Sequence, residues 1–514
     1  MISSTGVWLA FAIYMVALIS LGIYANRKTK QQSIQTYFTG KGEIRWYVLL
    51  MTYVAALMST WVFFAGPGGY YRGGFVYWIS ELSYIPLFPV ITYFVMNKVW
   101  LLNTQRGYVT PADLYDDRFK SPALRLVLGI VFMCVSLPYV ASIFIACGRA
   151  AVIASGNDSL YMPIILFVGA TTIVFICVGG MKSVAWADTG QGLLFIGALW
   201  AVVIAAIAVG FKGSLVGAFD AVWENTNSWF SYPGPNEWVP YTARMGYPLS
   251  CAIGWTIMLP HVFIRSGFSG DDLKSQKRLM FLTPVLQTVV WTGTMLIGLV
   301  GIGLLPDLTS TDTELIIPYL INNVIATAGT GGAKVLMMLF MLGAMAVGLS
   351  TANGFLLVSG SIFSNDFLTN LFKVKASGTK KMVMAKIVIS IMGVISIVMA
   401  LNPPELIWTL IMFAIAMVMP LFPVLVAALY WKRTTAPAAV AASAIGCGTV
   451  LLTYALGEGG SWYGFYGMAV STVLIVAVSM ITKPVDRKVL DSFYGALHKA
   501  EKLNWEDEEP EELA

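Results

Sequence analysis

The chain has 514 residues, of which 57% are apolar and only 11% charged, and it carries a net charge of +5. A soluble protein of this length would carry about 25% charged residues, so the composition excludes a string of soluble domains and predicts one integral membrane domain in a lipid bilayer. The excess positive charge is spread over short connections, as membrane topology requires, and is not a nucleic-acid footprint.

Taken in chain order, apolar stretches fall near 7–26, 45–66, 74–100, 123–150, 160–180, 185–210, 244–264, 280–304, 333–362, 382–401, 405–430, 435–456 and 463–482. About 20 apolar residues in a helix cross ~30 Å of hydrocarbon, and backbone in lipid must satisfy its own hydrogen bonds. The expected fold class is therefore an all-α polytopic membrane protein with about 13 transmembrane helices. The first stretch is too long for a signal-peptide core, and its basic residues (Arg27, Lys28, Lys30) follow it rather than precede it. Lys and Arg collect on alternate connections, through Lys274, Lys277 and Arg278 to Lys483, Arg487 and Lys488. The opposite loops carry only Arg72 and Lys212, with Arg149, Arg244 and Lys334 at the edges of spans. This asymmetry predicts an outer N-terminus, a cytoplasmic C-terminus and a plasma (inner) membrane location.

Between the spans, residues 213–243 (with Trp223, Trp229, Tyr232 and Trp238) and 306–330 (with the run Leu315 to Ile321) predict short helices that either lie at the outer interface or cap an outer vestibule. Thr110–Lys120 predicts a short surface helix. The membrane domain is expected over 1–484 and an acidic cytoplasmic tail over 485–514, irregular from Glu501. The five cysteines lie in or near spans, are odd in number and show no metal-ligand spacing, so they read as small buried hydrophobes.

Several spans carry groups that a plain membrane helix does not need. The second holds Ala55-Ala-Leu-Met58-Ser-Thr-Trp61 and ends in Gly66-Pro-Gly-Gly69. Small and hydroxyl residues there either let the helix open, freeing carbonyls as ligands for a hard cation, or serve close helix packing. The ninth holds Ala346-Val347-Gly348-Leu-Ser350-Thr351-Ala-Asn353-Gly354, whose hydroxyls either face an ion or bond back to their own helix. Asp188, near the inner end of the sixth span, is a functional candidate because an acid there is costly; the alternatives are interfacial water or Lys182. The seventh span combines Gly254-Trp255 with Leu259-Pro260-His261 and Arg265, and predicts a second broken helix five spans after the first. His261 is either a packed, hydrogen-bonded ring or a gating group. Glu81 in the third span faces the bundle interior, to bind solute or to pair with a cation. No nucleotide loop, zinc motif or other enzyme constellation occurs, so the chain reads as a transporter and not an enzyme.

These residues resemble the sodium:solute symporter family. The most specific stretch is Gly179-Gly-Met-Lys-Ser183 with Trp186-Ala-Asp188 and Gln191; Tyr37-Phe-Thr-Gly40, Pro260-His261 with Arg265, Ser350-Thr351 and Pro403-Pro404-Glu405 fit as well. The resemblance implies a leucine-transporter-type fold: two inverted five-span repeats, about 45–210 and 244–430, with one extra N-terminal and two extra C-terminal helices. It implies a sodium ion bound by the carbonyls of Ala55, Met58 and Val347 and the hydroxyls of Ser350 and Thr351, with Asp188 on the ion's release path. Members with a second sodium use hydroxyls where this chain has Asn353 and Gly354. Proline-type members carry an Asp where this chain has Leu57, and the look is nearest to the pantothenate and monocarboxylate branch. The implied function is sodium-coupled uptake of a small organic solute by alternating access, a carboxylate first, a sugar or amino acid as the alternative. The solute pocket is expected where the broken helices meet, at Ser59, Thr60, Trp61, Tyr77, Glu81, Trp255, Met258, His261 and Phe413. A membrane sensor and an uncoupled channel are the rivals from other classes. No oligomeric state is implied.

Overall fold

The computed structural model describes residues 2–27, 33–41, 44–232, 234, 249–309, 312–375, 377–402, 407–457 and 462–506. It is 86% helix, with no strand among the described residues. Among the described residues, ten helices are long and apolar enough to cross a membrane. One of them, Asp158–Gly210, holds two of the expected stretches, which meet at Gly180 with φ 64°. A Cβ on Gly180 would lie 2.6 Å from Tyr37 Cδ2, so both the backbone angle and the space call for glycine. The stretches at 45–66 and 244–264 are absent from the ten because each is broken in its middle.

The first break follows from local chemistry. Helix Trp46–Leu57 ends at Met58, and Met58 and Ser59 are extended. Ser59 Oγ accepts from the Trp61 amide at 3.3 Å, a side-chain bond that competes with helix continuation. A 3₁₀ turn, Thr60–Val62, leads into helix Ala65–Gly73. At the second break, the wide helical turns Cys251–Met258 give way to an extended Leu259, and Pro260–Gly267 resumes as helix. Proline disfavours a helical residue before it and suits the first helical position, where its missing N–H costs nothing.

Long helices surround the breaks: Pro122–Ser155, Tyr161–Gly210, Leu273–Leu304 and Thr330–Ser361. Glycine lets the last of these approach the first break. A Cβ on Gly348 would lie 2.9 Å from Thr60 Cγ2 and 2.8 Å from Ile143 Cγ2.

The connections differ from expectation in degree. Leu215–Asn225 is a helix with Trp223 exposed, but Trp229 is buried and donates to the Tyr70 carbonyl at 3.0 Å. In 306–330, Ile316, Ile317, Leu320 and Ile321 are buried, so of the two expected placements a free interfacial helix does not fit and the segment packs against the protein. Arg149 pairs with Glu314 at 3.1 Å, and Arg72 donates to Thr313. The expected surface helix is Pro111–Phe119, and its Arg118 is buried, donating to the carbonyls of Ala428, Trp431 and Lys432. Trp238, Arg244 and Pro403-Pro404-Glu405 lie outside the described residues.

The tail corrects the reading of its charge. Helix Arg487–Glu506 continues past Glu501. Phe493, Leu497 and Ala500 recur at helical spacing and are buried, while Glu501 pairs with Lys98 at 2.8 Å. The rest of the acidic tail, 507–514, lies outside the described residues.

Candidate ion and solute site

A helix that stops in the protein interior leaves its last carbonyls without intrahelical partners. Here four successive carbonyls at the end of Trp46–Leu57 find side-chain donors. Ser350 Oγ donates to Ala55 at 2.9 Å. His261 Nε2 lies 3.1 Å from the Ala56 carbonyl; a carbonyl only accepts, so this nitrogen carries the proton. Trp255 Nε1 donates to Leu57 at 2.6 Å, and Thr351 Oγ1 donates to Met58 at 2.7 Å. Ser350 and Thr351 also reach back to the Val347 carbonyl, at 2.8 and 3.4 Å. The hydroxyls of the ninth span thus bond back to their own helix and also to the broken one. The carbonyl oxygens of Ala55, Met58 and Val347 and the hydroxyls of Ser350 and Thr351 converge at one buried point.

One turn further along the ninth span lies a charged group. Arg265 Nη2 donates to Asp188 Oδ2 at 3.0 Å, and the residues are 1% and 0% exposed. Thr52 Oγ1 donates to the same carboxylate oxygen and accepts from Arg265 Nε at 3.0 Å. Arg265 Nη1 donates to the His261 carbonyl at 3.0 Å. A Cβ on Gly354 would stand 2.7 Å from Arg265 Nη1, so glycine makes room for the guanidinium. The pair joins the sixth and seventh spans through the second. Asn353 is buried with neither side-chain atom hydrogen-bonded.

On the other side of the break, Trp61 packs edge-on against Trp255 with centroids 6.1 Å apart, and Trp255 against Trp291 at 5.6 Å. Tyr77 lies 5.0 Å from Tyr70. Glu81 is buried within electrostatic reach of the Tyr70 and Tyr84 phenols. Ser59, Thr60 and Met258 are buried at the two breaks.

Two expected pocket residues sit elsewhere. His261 turns to the Ala56 carbonyl and lays its ring 3.9 Å from that of Phe355, on the side of the break that faces the ninth span. Phe413 packs on Tyr454 at 4.8 Å. The residue that the eleventh span presents to the seventh is Ile415, whose Cγ2 lies 2.7 Å from where a Gly254 Cβ would be. Two residues along a helix are about 200° apart, which turns Phe413 the other way.

The sodium:solute symporter family profile matches residues 37–446. The chain belongs to the sodium:solute symporter family. A sodium/pantothenate symporter of Haemophilus influenzae is 25% identical, over 88% of this chain and 91% of that protein. The osmoregulated proline transporter OpuE of Bacillus subtilis is 27% identical, over 92% and 94%. Among solved structures, a substrate-bound, outward-open Na⁺-coupled sialic acid symporter superposes with a TM-score of 0.79 at 21% identity, covering 94% of this chain and 99% of that one. The shared architecture is the expected leucine-transporter type, and this symporter uses sodium to drive solute uptake.

Sequence reading missed how this symporter satisfies its broken helix. Arg265 was visible as a motif residue, but its partner Asp188 is 77 positions away. Thr52 gave no signal at all, being one hydroxyl in an apolar run. The indole of Trp255 reads as a pocket wall in the sequence and acts in the structure as a donor to Leu57.

Proposed function

We propose that the chain couples the inward movement of one sodium ion to the uptake of a small carboxylate, pantothenate or a monocarboxylate, by alternating access. The observation that carries this reading is the convergence of the Ala55, Met58 and Val347 carbonyls with the Ser350 and Thr351 hydroxyls. Five uncharged oxygens suit a hard monovalent cation, whose shell needs about five or six. On binding, the two hydroxyl hydrogens turn away from the carbonyls and all five oxygens turn to the ion. The second and ninth spans are then held together, and the extended segment that carries Ser59, Thr60 and Trp61 is ordered next to the solute. Departure of the ion releases both spans, and Asp188 attracts it on the way out. Similarity to the pantothenate symporter supports the carboxylate, and Leu57, where proline-type members carry an Asp, argues against proline. We assign the basic face to the cytoplasm, residues 1–484 to the transport domain with repeats at 45–210 and 244–430, and 485–514 to the cytoplasmic tail.

One observation favours a second reading. Glu81, buried near two phenols, suits a solute bearing an ammonium or hydroxyl groups, such as an amino acid or a sugar. Glu81→Gln is expected to change solute affinity and leave sodium affinity in place; unchanged solute affinity in a folded variant removes Glu81 from the pocket.

Uptake into vesicles tests the whole reading. Transport is expected to need sodium and to collapse when the sodium gradient is dissipated. Full activity on a proton gradient in sodium-free buffer would refute it. Trans-acceleration in counterflow separates a carrier from a channel.

A further inference from the structure

The third and eighth spans lie side by side, joined where Trp291 Nε1 donates to the Tyr84 hydroxyl at 2.7 Å. Below Trp291, one face of helix Leu273–Leu304 carries Gln287, Thr283 and Gln276 at helical spacing. All three are buried. Both amide atoms of Gln287, Thr283 Oγ1 and Gln276 Nε2 have no hydrogen-bond partner. On the third span, Thr92 is 4% exposed and its Oγ1 has none either. Buried polar atoms are nearly always satisfied, so a row of such atoms along one seam points to polar groups supplied from outside the chain.

Toward the basic face this seam opens into a cavity of about 250 Å³, lined by Thr92, Tyr93, Asn97, Gln276, Lys277 and Phe281 among others. Tyr93 and Phe281 flank it, exposed on the surface that lipid covers. Lys274, Lys277 and Arg278 gather at the start of the eighth span.

We propose that this cavity holds the headgroup of an anionic glycerophospholipid from the leaflet on the basic face. A phosphate only accepts hydrogen bonds, and the cavity offers it the Gln276 amide, the Thr92 hydroxyl and the Lys277 ammonium. Asn97 Oδ1, itself unpartnered, accepts from a headgroup hydroxyl. The acyl chains leave between Tyr93 and Phe281, aromatic side chains of the kind that sit at the bilayer boundary. Basic residues beside a span attract anionic lipid, so charge and hydrogen bonding select the same ligand.

The test uses the full chain in detergent. Native mass spectrometry compares retention of phosphatidylglycerol and phosphatidylcholine with identical acyl chains, with soluble glycerol phosphate as a further probe. Phosphatidylglycerol is expected to be retained at least about fivefold better than phosphatidylcholine. Thr92→Val with Gln276→Leu, and separately Lys277→Gln, should bring the two lipids near parity, while Lys274→Gln leaves the preference in place. Lys277→Gln alters an exposed side chain of the cavity lining and keeps the test open if the double variant fails to fold. Equal retention by the unaltered protein overturns the proposal, as does a preference that survives Lys277→Gln. Loss of the preference in Lys274→Gln as large as in Lys277→Gln overturns it in favour of diffuse charge. Binding of glycerol phosphate as tight as that of the lipid overturns the lipid assignment.

Discussion

Replacing Ser350 and Thr351 together by alanine is expected to raise the sodium concentration for half-maximal uptake by at least about tenfold, or ~1.4 kcal/mol. Two effects oppose each other in this variant. Without sodium, the hydroxyls satisfy the carbonyls of Ala55 and Met58, and losing those bonds weakens the ion-free state. A neutral hydrogen bond contributes about 1 kcal/mol net, so the ion-free state loses roughly 2 kcal/mol. With sodium bound, the same oxygens face a charge, and polar contacts to a charged group contribute about 1.5–3 kcal/mol each. The bound state therefore loses more, and affinity falls. Alanine is the better helix former, so helix Thr330–Ser361 survives the change. The unaltered protein should show a hyperbolic dependence on sodium with a Hill coefficient near one. A sigmoidal curve would mean that a second ion binds despite Asn353 and Gly354, and normal sodium affinity in a folded double variant would place the site elsewhere.

Arg265→Met is expected to cost the protein about 3–5 kcal/mol of stability, because it leaves Asp188 charged, buried and without its cation. Thr52 remains as a donor but carries no charge to balance the carboxylate. Adding Asp188→Asn should recover most of that loss, since a neutral amide can keep the Thr52 contact and needs no counter-ion. Melting of the purified protein in detergent measures both. A single Arg265→Met variant as stable as the unaltered chain would show that the ion pair does not hold these spans. If Asp188 also attracts the departing ion, Asp188→Asn alone slows turnover more than it weakens outward solute binding; exchange of sodium at the normal rate would leave Asp188 a purely structural role.

The regular parts of the fold were legible because they depend on neighbours in sequence. Apolar stretches long enough to cross a bilayer became helices, and Pro260 marked one break; for Ala55–Trp61 the residues alone left an opened helix and close packing both open, and the structure opens it at Met58 and Ser59. Single side chains were harder to orient. Phe413 and His261 were both placed by their spans, yet a helix presents each residue on one side only, and the angle is set by its neighbours. In the tail, helix Arg487–Glu506 runs six residues into the segment expected to be irregular from Glu501, carried on from the buried stripe of Phe493, Leu497 and Ala500.

By itself the sequence determined that this protein lies in a membrane, that it is built of helices, and where two of those helices carry residues able to break them. These outcomes rest on hydrophobic length, proline and local hydroxyls, which act within one turn of chain. Only the tertiary structure decided which donors meet the four carbonyls that the first break sets free, and that Arg265 balances Asp188 across three spans. A carbonyl released inside the protein accepts from whichever donor stands within about 3 Å, and that distance is set by helices packing side by side, not by the order of residues along the chain.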